Sequence, residues 1–217
     1  MSEGLRERKK RQTRQRISDV AIGLFVQRGF ERVTIAEVAA AAEVSVNTLY
    51  NYFPSKEDLV LPPDRASPQR LADIVRQRPS GDSAVRAVLT GLRAEVRRRD
   101  RKLGLTDGFG RVLEMMLAAP TLTARLGDLA QQMTAALAAA LAEETGTAPD
   151  DPLPRMVAWQ LGCLHSLVYT EIGRRTTAGE NPDAIAEAVL DLLDAFEDLL
   201  GERVLSYAVR KEQPCSE

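Results

Sequence analysis

The sequence predicts an all-α fold in two parts: an N-terminal three-helix unit holding a helix-turn-helix, then a larger helical body. Three observations predict it. Apolar residues recur at three- and four-residue spacings along most of the chain. No segment alternates as a half-buried strand would, and no Asn-Gly hairpin occurs. Glycine and proline fall mainly between the periodic segments. Together these describe helices joined by short connections.

The first helix is expected over 5–28. Ile17, Val20, Ala21, Leu24 and Phe25 share one face of it, which should enter a core. Gly29 suits the positive-φ position that ends a helix, and Phe30 can fold back on it. A second helix is expected over 35–42. Thr34-Ile35-Ala36-Glu37 reads as a capping box, and Ile35, Val38, Ala39 and Ala42 form its apolar stripe. Glu43-Val44 breaks the period, Ser45 is a natural N-cap, and a third helix follows over 46–53 with Val46, Leu49 and Phe53 aligned. Two short helices, a three-residue turn and small alanines at the crossing describe a helix-turn-helix. Further helices are expected over 56–61, 68–78, 82–99, 107–118, 121–145, 152–177 and 182–205. The connections include Leu61-Pro62-Pro63 and a glycine-bearing, flexible segment from Asp100 to Gly110.

Composition narrows the function. The 217 residues suffice for one or two domains. Apolar residues make up 44% and charged residues 28%, which excludes a disordered tail and a membrane protein. No apolar run is long enough to span a bilayer and no signal peptide is apparent, so a cytoplasmic protein is expected. Cys163 and Cys215 cannot form a disulfide framework. One histidine, His165, leaves no usual zinc site and little room for nucleophilic catalysis, so neither an enzyme nor a metal or other cofactor is expected.

The net charge of −2 conceals an asymmetry: residues 1–33 carry nine Lys/Arg against four Asp/Glu, on an acidic remainder. A basic end suggests an anionic partner there. The third helix leaves Ser45, Asn47, Thr48, Tyr50, Asn51 and Tyr52 outward. Asparagine can pair with adenine edges, hydroxyls can hold phosphates, and Val46 can touch a thymine methyl. Lys56 is well placed for a phosphate.

Residues 14–60 resemble the N-terminal domain of TetR/AcrR-type transcriptional regulators. The resemblance rests on Ile17, Ala21, Leu24, Phe25, Gly29, Phe30, Thr34, Ile35, Val38, Ala39 and Ala42. It rests above all on the run Val44-Ser45-Val46-Asn47-Thr48-Leu49-Tyr50-Asn51-Tyr52-Phe53-Pro54-Ser55-Lys56-Glu57. Glu43 stands where the family usually has glycine, and Asn47 where a small residue is common. The resemblance implies phosphate contacts at Thr34, Ser45, Tyr52 and Lys56. It implies a groove-facing surface at Val46, Asn47, Tyr50 and Asn51, with Leu49 and Phe53 in the core. It divides the chain into a DNA-binding domain over 1–60, a ligand-binding and dimerisation domain over 61–205, and a disordered tail over 206–217. The implied protein is a homodimeric repressor on a palindromic double-stranded operator, released by a small-molecule effector. A helical ligand carrier or protein adaptor without DNA binding is the alternative.

The body is less explicit. Phe109, Met115, Met116, Trp159, Cys163, His165 and Tyr169 are the candidate ligand-binding residues, although core filling is the simpler reading of each. Ala158, Gly162, Ser166, Thr170 and Gly173 form a stripe of small residues along 152–177. Val189, Leu193 and Phe196 lie on a broad apolar face of the last helix. Both faces suit either intramolecular core or a four-helix contact between two subunits. The resemblance favours a homodimer through these two long helices.

Overall fold

A computed structural model describes residues 4–61, 66–100, 103–106, 108–148 and 150–211. Among them every regular element is helical. These are α1 (Leu5–Arg28), α2 (Ile35–Ala41), α3 (Val46–Tyr52), α4 (Arg70–Gln77), α5 (Ala84–Arg97), α6 (Phe109–Leu117), α7 (Pro120–Thr145), α8 (Leu153–Thr177), α9 (Pro182–Leu199) and α10 (Glu202–Leu205). The chain divides into two compact units. One holds residues up to 66 together with 111–126, the other 67–110 together with 127 onward. Pro62, Pro63 and residues 212–217, with Cys215, lie outside the described residues.

In the first unit Ile17, Ala21 and Phe25 of α1 are buried with Val38 and Ala39 of α2 and Leu49 and Phe53 of α3. The α1 face read from the sequence therefore enters this core. Gly29 takes φ 86°, its N–H bonds the Phe25 carbonyl at 2.8 Å, and Phe30 returns to set its ring edge-on to Phe25, centroids 4.9 Å apart. The helix expected over 56–61 is one 3-10 turn, Glu57–Leu59. Ser55 and Asp58 close it reciprocally: Ser55 N–H donates to the Asp58 carboxylate at 3.1 Å, and Asp58 N–H to Ser55 Oγ at 3.2 Å. This core also contains Met115, Met116, Ala119 and Leu122, so it draws on a segment some fifty residues downstream of the expected boundary at 60.

The second unit has its own core. Leu71 and Val75 of α4, Val88, Leu89, Leu92 and Val96 of α5, Leu137 and Leu141 of α7, Leu161, Leu164, Val168 and Ile172 of α8, and Val189 and Leu193 of α9 are buried together. Leu103 and Leu105, in the segment expected to be a flexible connection, are buried in the same core. The last helix is not continuous. Leu200 is extended and Gly201 N-caps α10, a break that a glycine within an apolar period makes easy. Residues 206–211 are not a frayed tail. Ala84 N–H donates to the Tyr207 carbonyl at 3.1 Å, Gly81 N–H to the Arg210 carbonyl at 2.9 Å and Arg210 N–H to the Asp82 carbonyl at 3.0 Å. Buried Arg78 ties the same segment down, its guanidinium donating to the Ala208 carbonyl at 2.7 Å and to Glu144 at 3.0 Å. Charge-assisted bonds of this kind leave no trace in the periodicity of the sequence.

Candidate functional site

The helix-turn-helix is built by two caps and a turn. Thr34 Oγ1 accepts from Glu37 N–H at 3.2 Å, and the Glu37 carboxylate accepts from Thr34 N–H at 2.8 Å, completing the capping box. Thr34 N–H, then Arg28, then the Thr34 hydroxyl hold the Glu37 carboxyl down at about 2. The turn is a Schellman motif: Val44 N–H bonds the Ala39 carbonyl at 3.0 Å and Glu43 N–H the Ala40 carbonyl at 3.1 Å. Glu43 is thereby held at φ 53°, a left-handed conformation that explains why glycine suits this position. Ser45 Oγ then accepts from Thr48 N–H at 3.0 Å and starts α3.

With Leu49 and Phe53 fixed inward, α3 turns a continuous surface outward. Ser45, Val46, Asn47, Tyr50 and Asn51 are exposed, Thr48 and Tyr52 half-buried, and Thr34 is exposed at the start of α2. Tyr50, 48% exposed, is too open to be core filling. Arg6, Arg8, Lys9, Lys10 and Arg11 are all exposed along the first turns of α1. The expected groove-facing and phosphate-facing residues are thus gathered, with one departure. Lys56 turns inward: its ammonium donates to the Phe30 carbonyl at 2.5 Å and lies 4.3 Å from the Phe30 ring centroid. Arg16 likewise serves the fold, donating to the Ala42 carbonyl at 2.8 Å. It satisfies a carbonyl at the end of α2 that helix geometry leaves open.

The seven candidate ligand residues are not brought together. Met115 and Met116 belong to the core of the first unit. Phe109 lies over Gly104, whose absent Cβ would stand 2.2 Å from its ring. On α8 the remaining four separate onto two faces. Trp159 is 66% exposed and Cys163 is exposed, in line with Met156 and Leu167, both exposed. His165 is buried and Tyr169 packs against the core. They meet Arg70 of α4, whose Nη1 donates to Tyr169 Oη at 2.7 Å and lies 3.2 Å from His165 Nε2; its Nη2 bonds Glu95 of α5. Burial and the Arg70 charge lower the His165 pKa to about 3. Arg70 and Glu95 were missed by sequence reading. The one signal was an arginine opening a helix, where the dipole disfavours a cation.

The faces expected between subunits are only partly internal: Ser166 and Thr170 are exposed and Phe196 half-buried. Ala158, Gly173, Val189 and Leu193 are buried within the chain. Gly162 abuts α7: a Cβ there would stand 2.4 Å from Thr134 Oγ1. Gly162 lets α7 and α8 approach at Thr134, while Met156, Trp159 and Leu167 remain uncovered.

A cap-defined helix-turn-helix presenting an open polar helix, in a chain that also carries a basic helix and an all-helical body, defines the class of helix-turn-helix transcriptional regulators. The comparisons narrow it. Residues 17–61 match the family described as bacterial regulatory proteins, tetR family, and residues 82–198 match the MftR C-terminal domain. The chain belongs to the tetR family of transcriptional regulators. It is 33% identical over 197 residues to the HTH-type transcriptional regulator TcmR of Streptomyces glaucescens, covering 89% of this chain and 86% of that one. Over 51 residues, 24% of this chain and 25% of the relative, it is 43% identical to the HTH-type transcriptional repressor KstR of Mycolicibacterium smegmatis. Among solved structures, NalD of Pseudomonas aeruginosa superposes with a TM-score of 0.55 at 18% identity, covering 86% of this chain and 97% of that chain. SmeT in its triclosan complex gives 0.56 at 18% identity, covering 94% and 99%. These two show the fold alone.

Proposed function

We propose that the protein is a cytoplasmic repressor that binds a palindromic operator as a homodimer and is released by a small-molecule effector held in its helical body. The observation that carries this reading is the surface of α3, where Val46, Asn47, Tyr50 and Asn51 are exposed on a helix capped and buried along its other side. A major groove accepts such a helix and offers donors and acceptors that asparagine and tyrosine can pair. Thr34, Ser45, Thr48 and Tyr52 flank it as phosphate contacts, and the exposed cations of α1 add a sequence-independent attraction.

Two reading helices acting together must be spaced about 34–36 Å apart, or a multiple, which calls for a dimer. The face that suits dimerisation is Met156, Trp159 and Leu167 on α8, apolar and uncovered. No helix among the described residues is long and apolar enough to cross a membrane, so nothing there opposes a cytoplasmic site. The relatives include a repressor, which supports repression. The effector changes the spacing or orientation of the two heads by favouring one state of the body.

The test is selection of binding sites from random DNA by the parent protein and by Asn47→Ala and Asn51→Ala. The parent should yield a palindrome. Each variant should lose discrimination at one base pair per half-site, by about 1–3 kcal/mol, with nonspecific affinity unchanged. Identical motifs from all three proteins would remove α3 as the reading element.

A further inference from the structure

α3 carries no charged side chain: it runs Val46-Asn47-Thr48-Leu49-Tyr50-Asn51-Tyr52, and from Val33 to Ser55 the chain has no lysine or arginine. The neighbouring cations Arg16, Arg28 and Lys56 are engaged within the first unit, with the Ala42 carbonyl, Glu37 and the Phe30 carbonyl. The acids in the same span are Glu37, paired with Arg28, and Glu43, which lies in the turn and on no face of α3.

The outward side chains of α3 fall into two ridges. Leu49 is buried, and Asn47 precedes it by two residues, about 200° round the helix. Asn47 and Asn51, both exposed, therefore form a ridge of two amides on the side away from the core. Val46 and Tyr50, also exposed and also four residues apart, form an apolar ridge beside it.

The edges of the bases decide what such a surface can read. A side-chain amide offers one acceptor next to donors. Among the four bases, adenine alone presents in the major groove a donor, its 6-amino group, next to an acceptor, N7. Guanine presents two acceptors, which call for arginine or lysine, and cytosine presents an amino group that calls for a carboxylate. α3 has none of these side chains. On the other side of an A·T pair the thymine methyl lies in the same groove and takes an apolar contact. An amide ridge beside an apolar ridge thus matches the two halves of an A·T edge. Residues four apart on a helix hold their Cβ atoms about 5–6 Å apart, and stacked bases rise about 3.4 Å, so the two amides meet base pairs one or two steps apart.

We propose that α3 reads two A·T pairs in each half-site, one or two steps apart. Asn47 and Asn51 each pair with the N7 and 6-amino group of one adenine, and Val46 and Tyr50 rest against thymine methyls. None of the side chains of α3 reads guanine or cytosine. The inference rests on the reading that this helix enters the major groove of an operator.

The full chain is used to select sites from random DNA, and the enriched half-site is then altered one atom or group at a time. It should hold two A·T pairs, one of which ceases to be discriminated by Asn47→Ala and the other by Asn51→Ala. At those pairs 7-deazaadenine removes the N7 acceptor, purine removes the 6-amino group and uracil removes the thymine methyl. By fluorescence anisotropy, each of the first two should weaken the parent about fivefold or more, and uracil about two- to fourfold. Each adenine penalty should vanish in the alanine variant that faces that pair and persist in the other variant. A merely structural role for the asparagines would weaken binding to all these DNAs alike. Selected half-sites in which the asparagine variants lose discrimination at G·C pairs would overturn the proposal, as would 7-deazaadenine or purine penalties that are absent or that survive both variants. Those results leave sequence-specific DNA binding in place. Selection that enriches no sequence removes the repressor reading, and the proposal with it.

Discussion

The ammonium of Lys56 stands 2.5 Å from the carbonyl oxygen of Phe30, over the ring of the same residue. A side chain whose position suggests a phosphate contact thus closes the corner between α1 and the helix-turn-helix. A cation against an aromatic face contributes about 0.5–1 kcal/mol, and its hydrogen bond a similar amount. Lys56→Ala should therefore lower thermal stability by about 1–2 kcal/mol. It should leave the slope of log affinity against log salt unchanged. Deletion of residues 2–11 should flatten that slope by about 0.9 for each phosphate that is no longer neutralised. A flattened slope for Lys56→Ala would show that the ammonium turns outward on DNA.

Glu43 holds a left-handed conformation at φ 53° in the turn between α2 and α3. Glycine would relieve a strain of about 1 kcal/mol, partly offset by a looser unfolded chain. Glu43→Gly should raise the melting temperature slightly. It also removes a negative charge beside the reading surface, so binding to unrelated DNA should tighten. Denaturation and competition with unrelated DNA measure the two effects separately; a lower melting temperature would contradict the strain argument.

The two faces of α8 predict opposite outcomes for neighbouring substitutions. Trp159→Lys places a charge on the uncovered apolar face and should convert dimer to folded monomer by light scattering, with operator affinity falling in parallel. Gly162→Leu drives a side chain into Thr134 of the same subunit, so it should lower stability by about 1–3 kcal/mol without selective loss of the dimer. Monomeric Gly162→Leu protein of parental stability would restore the small stripe as the interface.

His165 gives a pH dependence whose sign is fixed. Burial first, and the Arg70 charge second, lower its pKa from 6.5 to about 3 in the folded chain. Between those values the unfolded chain holds a proton that the folded one lacks. Stability contributed by neutral His165 is therefore complete above about 6.5 and falls as pH drops toward 3, by at most about 1.4 kcal/mol per pH unit. Compared with the parent, His165→Phe should show a shallower loss of stability between pH 6 and 4 in urea titrations. Parallel curves would mean that the imidazole is solvated.

The helix-turn-helix was legible because its signals are local. Thr34 with Glu37, Ser45 with Thr48, and the spacing of Leu49 and Phe53 lie within one or two turns of each other. α8 was not legible in the same way. Apolar side chains occur on more than one of its faces, so periodicity placed Trp159 and His165 on one helix without deciding which faces inward. Only neighbours distant in sequence, such as Thr134 against Gly162 and Arg70 against His165, decide it. The break at Gly201 had a local signal in the glycine itself. The anchoring of residues 206–211 had none, because its bonds run to main-chain groups near residue 80.

The core beneath the reading helix is completed by Met115, Met116, Ala119 and Leu122. A DNA-binding domain excised at residue 60 or 66 would leave that apolar surface bare, and an exposed patch of this kind favours association with whatever apolar surface is near. The modularity that the family's two-part plan suggests thus has a seam that is not a single point in the chain. A chimera that exchanges reading heads between relatives must carry residues 111–126 with the N-terminal segment, or graft its operator specificity through α3 alone.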